Sequence, residues 1–153
     1  MALPNVFTKE VAEELIGRIN TLTSATPAKW GKMSVSQMLA HCSVTYEYIY
    51  NESKFKKPGL VMGLILKLVV KGKVVSEEGY KPGSPTAPDF IIKEEKNFED
   101  EQKQLIGYIR KTQEMGESYF DGKTSHSFGV LNKTEWNNMF YKHLNHHLSQ
   151  FGA

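Results

Sequence analysis

The chain has 153 residues, 40% of them hydrophobic and 24% charged, with 19 basic and 17 acidic residues mixed along its length. That balance fits a single soluble domain over residues 1–153 with one sizeable core, and it offers nucleic acid no concentrated basic face. One cysteine, Cys42, excludes an internal disulfide, and the N-terminus lacks the basic and apolar regions of a signal peptide, so a cytoplasmic protein is expected.

A first helix is predicted from Thr8, its cap, through KEVAEELIGRINTL, with Val11, Leu15, Ile19 and Leu22 as the buried stripe. Pro27 and Gly31 break this pattern. The second helix opens on Ser34-Val35-Ser36-Gln37, a capping box in which hydroxyl and amide satisfy each other's backbone donors. It carries Val35, Leu39, Cys42, Tyr46 and Ile49 on one stripe and ends near Asn51.

Between Ser53 and Asp89 lies LVMGLILKLVV (Leu60 to Val70), which Lys67 interrupts. The run is roughly half the length a bilayer requires, so no transmembrane segment is expected. A helix over Gly59 to Val70 and an irregular loop through EEGYKPGSPTAPD are predicted. The basic flanks leave three uses open for this helix: packing across the other helices, lying on a membrane surface, or contacting a second copy in a homodimer.

A third long helix is predicted over Phe98 to Tyr119, with Leu105, Ile109 and Met115 on a charged background. FDGKTSHSFGVL reads as a turn, and Asn132-Lys133-Thr134-Glu135 as a second capping box that opens the last helix, Lys133 to Gln150. No alternating stretch is long enough for a sheet. The expected class is all-α, a four-helix bundle with a long crossover between the second and third long helices.

Three of the five histidines crowd into the last helix. At about 100° per residue, Trp136, Phe140, His143 and His147 fall within roughly a 60° arc, while His146 is turned aside. An i, i+4 pair of imidazoles can serve one cation, and a third ligand with an open position completes the usual catalytic arrangement. His41 lies mid-helix on a flank with Met38 and Thr45. The alternative is a polar helix end, where histidines favour the dipole and the free carbonyls. The pair lacks the metalloprotease glutamate after its first histidine, so a zincin-type hydrolase is not supported.

WGKMSVSQMLAHC (Trp30 to Cys42), followed by HSFGVLNKTEWNNMFYKHLNHHLSQFG (His126 to Gly152), resembles the DinB/YfiT-like superfamily of metalloenzymes, and within it a branch of unknown function. The resemblance implies an up-down-down-up bundle and a divalent metal, often zinc or nickel, on His41, His143 and His147. Characterised relatives include S-transferases that use low-molecular-weight thiols such as bacillithiol or mycothiol, maleylpyruvate isomerase-like enzymes, and hydrolases. The implied function is a metal-dependent enzyme of small-molecule chemistry, either a thiol-dependent S-transferase or a hydrolase. The alternative is a non-enzymatic, ligand-binding bundle. No thiol-recognition motif stands out. His126 is placed either at the mouth of the site or in a plain turn, and His146 is expected to support a ligand or cap carbonyls. No general base is assigned to Tyr46, Glu47 or Tyr141, and Cys42 is read as a small core residue.

Overall fold

A computed structural model describes residues 1–153. The chain is mostly helical with one small two-stranded sheet. Helix α1 spans Lys9–Asn20, and its cap is Thr8, whose side chain accepts from the Val11 amide. Its buried residues are Ala12, Leu15, Ile16 and Ile19. Val11, expected in the stripe, is only half-buried, because the stripe runs through the neighbouring Ala12. Helix α2 (Val35–Tyr50) starts on the expected capping box of Ser34 and Gln37. Twelve of its sixteen residues are buried, so it is surrounded on most sides rather than along one stripe.

Helices α3 (Leu60–Ile65) and α4 (Lys71–Val75) are joined by a π turn at Leu66–Val70 into one helical rod. The rod extends past the predicted end at Val70, since Gly72 does not stop it. Helix α5 (Phe98–Met115) is capped by Asn97 and has Glu99, Asp100 and Glu101 in its first turn, where the helix dipole favours negative charge. It ends before the predicted Tyr119 because Gly116 takes a φ of 75°; a four-residue helix α6 (Glu117–Phe120) follows.

The segment read as a turn is a hairpin, which corrects the all-α expectation. Strands β1 (Lys123–Ser125) and β2 (Gly129–Leu131) pair antiparallel, with Thr124 opposite Val130. The Ser125 hydroxyl closes the connection, accepting from the Phe128 amide and donating to the Gly129 carbonyl. Helix α7 (Lys133–Gln150) has the predicted bounds and the predicted capping box of Asn132 and Glu135.

α2 packs against α5 and α7, and α1 packs against the same two helices. One core joins Leu15 and Ile19 of α1, Met38 and Tyr46 of α2, Leu105 of α5, and Trp136, Phe140, Leu144 and Leu148 of α7. On α7 the apolar stripe drifts toward Leu144 and Leu148, which leaves His143 and His147 on the edge that meets α2. No helix is long and apolar enough to cross a membrane.

Candidate metal centre

The packing of α2 on α7 brings His41, His143 and His147 together. One ring nitrogen from each lies within 4.8 Å of the other two. The His41 ring centroid is 4.4 Å from that of His147 and 4.9 Å from that of His143. His41 and His147 are buried, and His143 is half-buried.

Each imidazole is held at Nδ1, and the partners determine which nitrogen carries the proton. His41 Nδ1 lies 2.8 Å from the Phe90 carbonyl, which only accepts, so Nδ1–H donates and Nε2 keeps its lone pair. His147 Nδ1 lies 2.8 Å from Gln150 Oε1. The Gln150 amide cannot be turned around, because its Nε2 donates to the Trp30 carbonyl at 2.8 Å. His147 therefore donates from Nδ1 and also keeps a lone pair on Nε2. Gly31 allows this approach: its φ is 82°, and an ideal Cβ there would stand 2.7 Å from Gln150 Nε2.

His143 differs because its Nδ1 partner, the Thr45 hydroxyl at 3.0 Å, either donates or accepts. Its Nε2 sits 2.9 Å from His41 Nε2, whose lone pair is already fixed. Without a cation, His143 Nε2–H bridges that gap and Thr45 donates to Nδ1. To offer a cation a third Nε2 lone pair, the Thr45 hydroxyl would turn and accept from His143 Nδ1–H. Ligand nitrogens about 2.0–2.1 Å from one tetrahedral ion lie roughly 3.4 Å apart, between the closest and the widest separations of this cluster. The donor set fits a divalent metal ion.

Electrostatics keep the three imidazoles neutral. Burial first, then the charges of the other imidazoles, holds His143 well below the ordinary histidine value. Burial and the neighbouring His41 push His147 down to about 3. Burial also lowers His41, partly offset by its bond to the Phe90 carbonyl.

The remaining candidates lie outside the cluster. His146 faces Trp30 and Tyr80, at ring-centroid distances of 5.8 and 5.9 Å. It lines a cavity of about 420 Å³ with Trp30, Tyr80, Tyr141 and Lys142. His126 stacks on Tyr48 at 3.9 Å, and Phe90 lies between Tyr48 and the histidine cluster. It opens instead into a separate polar cavity with Glu52, Lys57 and Lys123. Tyr46 is stacked in the core on Phe140, and Glu47 is paired with Lys54 at 2.8 Å, so neither is placed as a base. The Cys42 thiol is buried beside Met38, and burial pushes its pKa up.

Sequence reasoning missed the groups that orient the imidazoles. Gln150 stands three residues after His147, at a spacing that puts both on one helix side. Phe90 had no local signal, since its backbone carbonyl rather than its side chain makes the contact.

The family described as protein of unknown function (DUF1569) matches residues 7–153, and the chain belongs to it. No curated protein and no solved structure matches the chain.

Proposed function

We propose that this DUF1569 protein binds one divalent metal ion, zinc or nickel, through His41, His143 and His147, and works as a metal-dependent enzyme on a small molecule. The observation that carries this reading is the convergence of three imidazoles, each held at Nδ1, between α2 and α7. Three histidines with a position left open are a catalytic donor set, whereas structural zinc sites fill all four positions from the protein. An ion held there supplies Lewis acidity, which lets a coordinated water or thiol lose its proton near neutral pH. The chain's own part is to keep the imidazoles neutral by burial and to aim them through Phe90, Thr45 and Gln150.

The cavity beside His146, walled by Trp30, Tyr80 and Tyr141, supports a small-molecule substrate. We favour transfer to a low-molecular-weight thiol, on the resemblance to the DinB/YfiT-like superfamily, with metal-dependent hydrolysis as the second reading. The same resemblance, together with four long helices around one core, supports an up-down-down-up four-helix bundle. A core that draws on residues from Val6 to Phe151 supports one domain. A cytoplasmic setting suits its single, buried, free cysteine.

Elemental analysis of protein purified without metal-affinity resin tests the site. His41→Ala, His143→Ala and His147→Ala are each expected to lose the metal, while His146→Ala keeps it. Equal metal content in all four variants would refute the site. A loaded protein inactive on every thiol acceptor moves the reaction to hydrolysis.

A further inference from the structure

The apolar run that the metal centre does not use lies on the outside of the molecule. The rod Leu60–Val75 is fastened to α7 through its C-terminal part, from Lys71 onward. There Lys142 Nζ donates to the Lys73 carbonyl at 2.6 Å and the Ser76 carbonyl at 2.8 Å, and Asn138 Nδ2 donates to the Val75 carbonyl at 2.9 Å. The N-terminal half turns its apolar side outward. Leu60 is 96% exposed, Leu68 75% and Val69 69%, and Val61, Leu64 and Ile65 are exposed as well. At about 100° per residue these six occupy one side of the rod, and the half-buried Gly63, Leu66 and Val70 occupy the other. A surface helix of a globular protein normally presents the opposite pattern, with its apolar stripe inward.

The charge carried by this stretch of chain has one sign. From Ser53 through Ser76 there is no Asp or Glu, and there are six lysines: Lys54, Lys56, Lys57, Lys67, Lys71 and Lys73. Lys54 and Lys71 are paired with Glu47 and Glu135, and Lys57 reaches Glu52 only at 4.0 Å. Lys56, Lys67 and Lys73 form no ion pair. A twofold contact through this stretch would set its lysines against the same stretch of a second copy, which has no carboxylate to offer, whereas a negatively charged plane satisfies the unpaired ones.

We propose that the rod Leu60–Val75 is a docking surface for an anionic lipid bilayer. Leu60, Val61, Leu64, Ile65, Leu68 and Val69 enter the boundary between headgroups and acyl chains, and the free lysines meet lipid phosphates and carboxylates. The protein lies on the membrane and does not span it. This inference is independent of the metal centre.

The test is co-sedimentation of the full chain with phosphatidylcholine vesicles, with and without phosphatidylserine. Binding is expected to vesicles that contain phosphatidylserine, to weaken as salt rises, and to be slight on phosphatidylcholine alone. Replacing both outward leucines, Leu64→Glu with Leu68→Glu, is expected to abolish it; these side chains are exposed, so the far-UV circular dichroism should be unchanged. Lys56→Gln and Lys73→Gln are each expected to weaken binding roughly fivefold at low salt. No binding to either vesicle, or binding indifferent to the leucine variants, would overturn the proposal. So would a concentration-dependent dimer that the leucine variants dissolve in a protein that ignores vesicles, because a second copy would then cover the face.

Discussion

Gly31 ties a backbone conformation to the aim of His147, and the Gly31→Ala variant tests that link. A φ of 82° costs glycine nothing, but for alanine such left-handed geometry costs roughly 1–2 kcal/mol. The new Cβ would also stand 2.7 Å from Gln150 Nε2, so the amide must move. Moving it releases the Trp30 carbonyl and His147 Nδ1, both held at 2.8 Å. With about 1 kcal/mol for each hydrogen bond, the metal-free protein should lose roughly 3–4 kcal/mol in all. Loss of the group that orients a ligand histidine typically lowers metal affinity about 10–100-fold. Urea unfolding after chelation measures the first effect, and titration with zinc measures the second. Gln150→Ala separates the parts, since it removes both bonds without backbone strain and should cost about 2 kcal/mol with a similar loss of affinity. In the double variant the bonds are lost once rather than twice, so the total should fall short of the sum of the singles by about 2 kcal/mol. Strict additivity, or a Gly31→Ala protein that binds zinc as tightly as the parent, would refute the coupling.

In metal-free protein, His147 titrates near 3 when folded and near 6.5 when unfolded. The unfolded chain takes up the proton first, so this stability is fully present above pH 6.5 and declines as pH falls toward 3. At pH 5 the loss from this residue is roughly 2 kcal/mol, and urea unfolding at pH 7 and pH 5 should show that His147→Gln removes that share of the pH dependence. Thr45→Val leaves His143 Nδ1 without its partner at 3.0 Å. Zinc affinity should fall about tenfold, with Thr45→Ser restoring it; equal affinity in all three would count against Thr45 as the orienting group. Lys142→Met cuts the ties from α7 to the carbonyls of Lys73 and Ser76. Limited proteolysis should then cleave between Ser53 and Asp89 several times faster while α2 and α7 stay intact; cleavage at the parental rate would mean that the remaining ties, Asn138 to Val75 and Lys71 to Glu135, hold the rod.

The pattern of success along the chain follows the range of the interactions involved. Thr8, the Ser34 and Gln37 box, and the Asn132 and Glu135 box satisfy backbone donors within three residues, so their meaning was visible in the residues themselves. The bounds of α7 were legible for the same reason, and so was the shared side of His143 and His147. The hairpin was not, because three-residue strands are too short to show alternation, and the side-chain bonds of Ser125 and the turn at Gly129 do the work. The outward face of α3 was hidden for a different reason. Periodicity locates an apolar stripe, but it carries no information about whether that stripe meets a core or the outside.

The candidate site divides along the same line. Its three imidazoles stand on regular helices, where spacing translates directly into direction. Two of the groups that aim them come from outside those helices: the Phe90 carbonyl lies 49 residues from His41, in the segment without periodicity. The Trp30 carbonyl lies 120 residues from Gln150. Gly31 could be read as a helix breaker, but its need for a left-handed φ arises only because Gln150 passes where a side chain would be. The candidate ligands are thus written in local sequence and their orientation in tertiary packing. Orientation in turn decides which nitrogen of each imidazole faces the common point, so a histidine pattern alone marks where an ion can be held, and the loop contacts decide whether the three lone pairs converge on it.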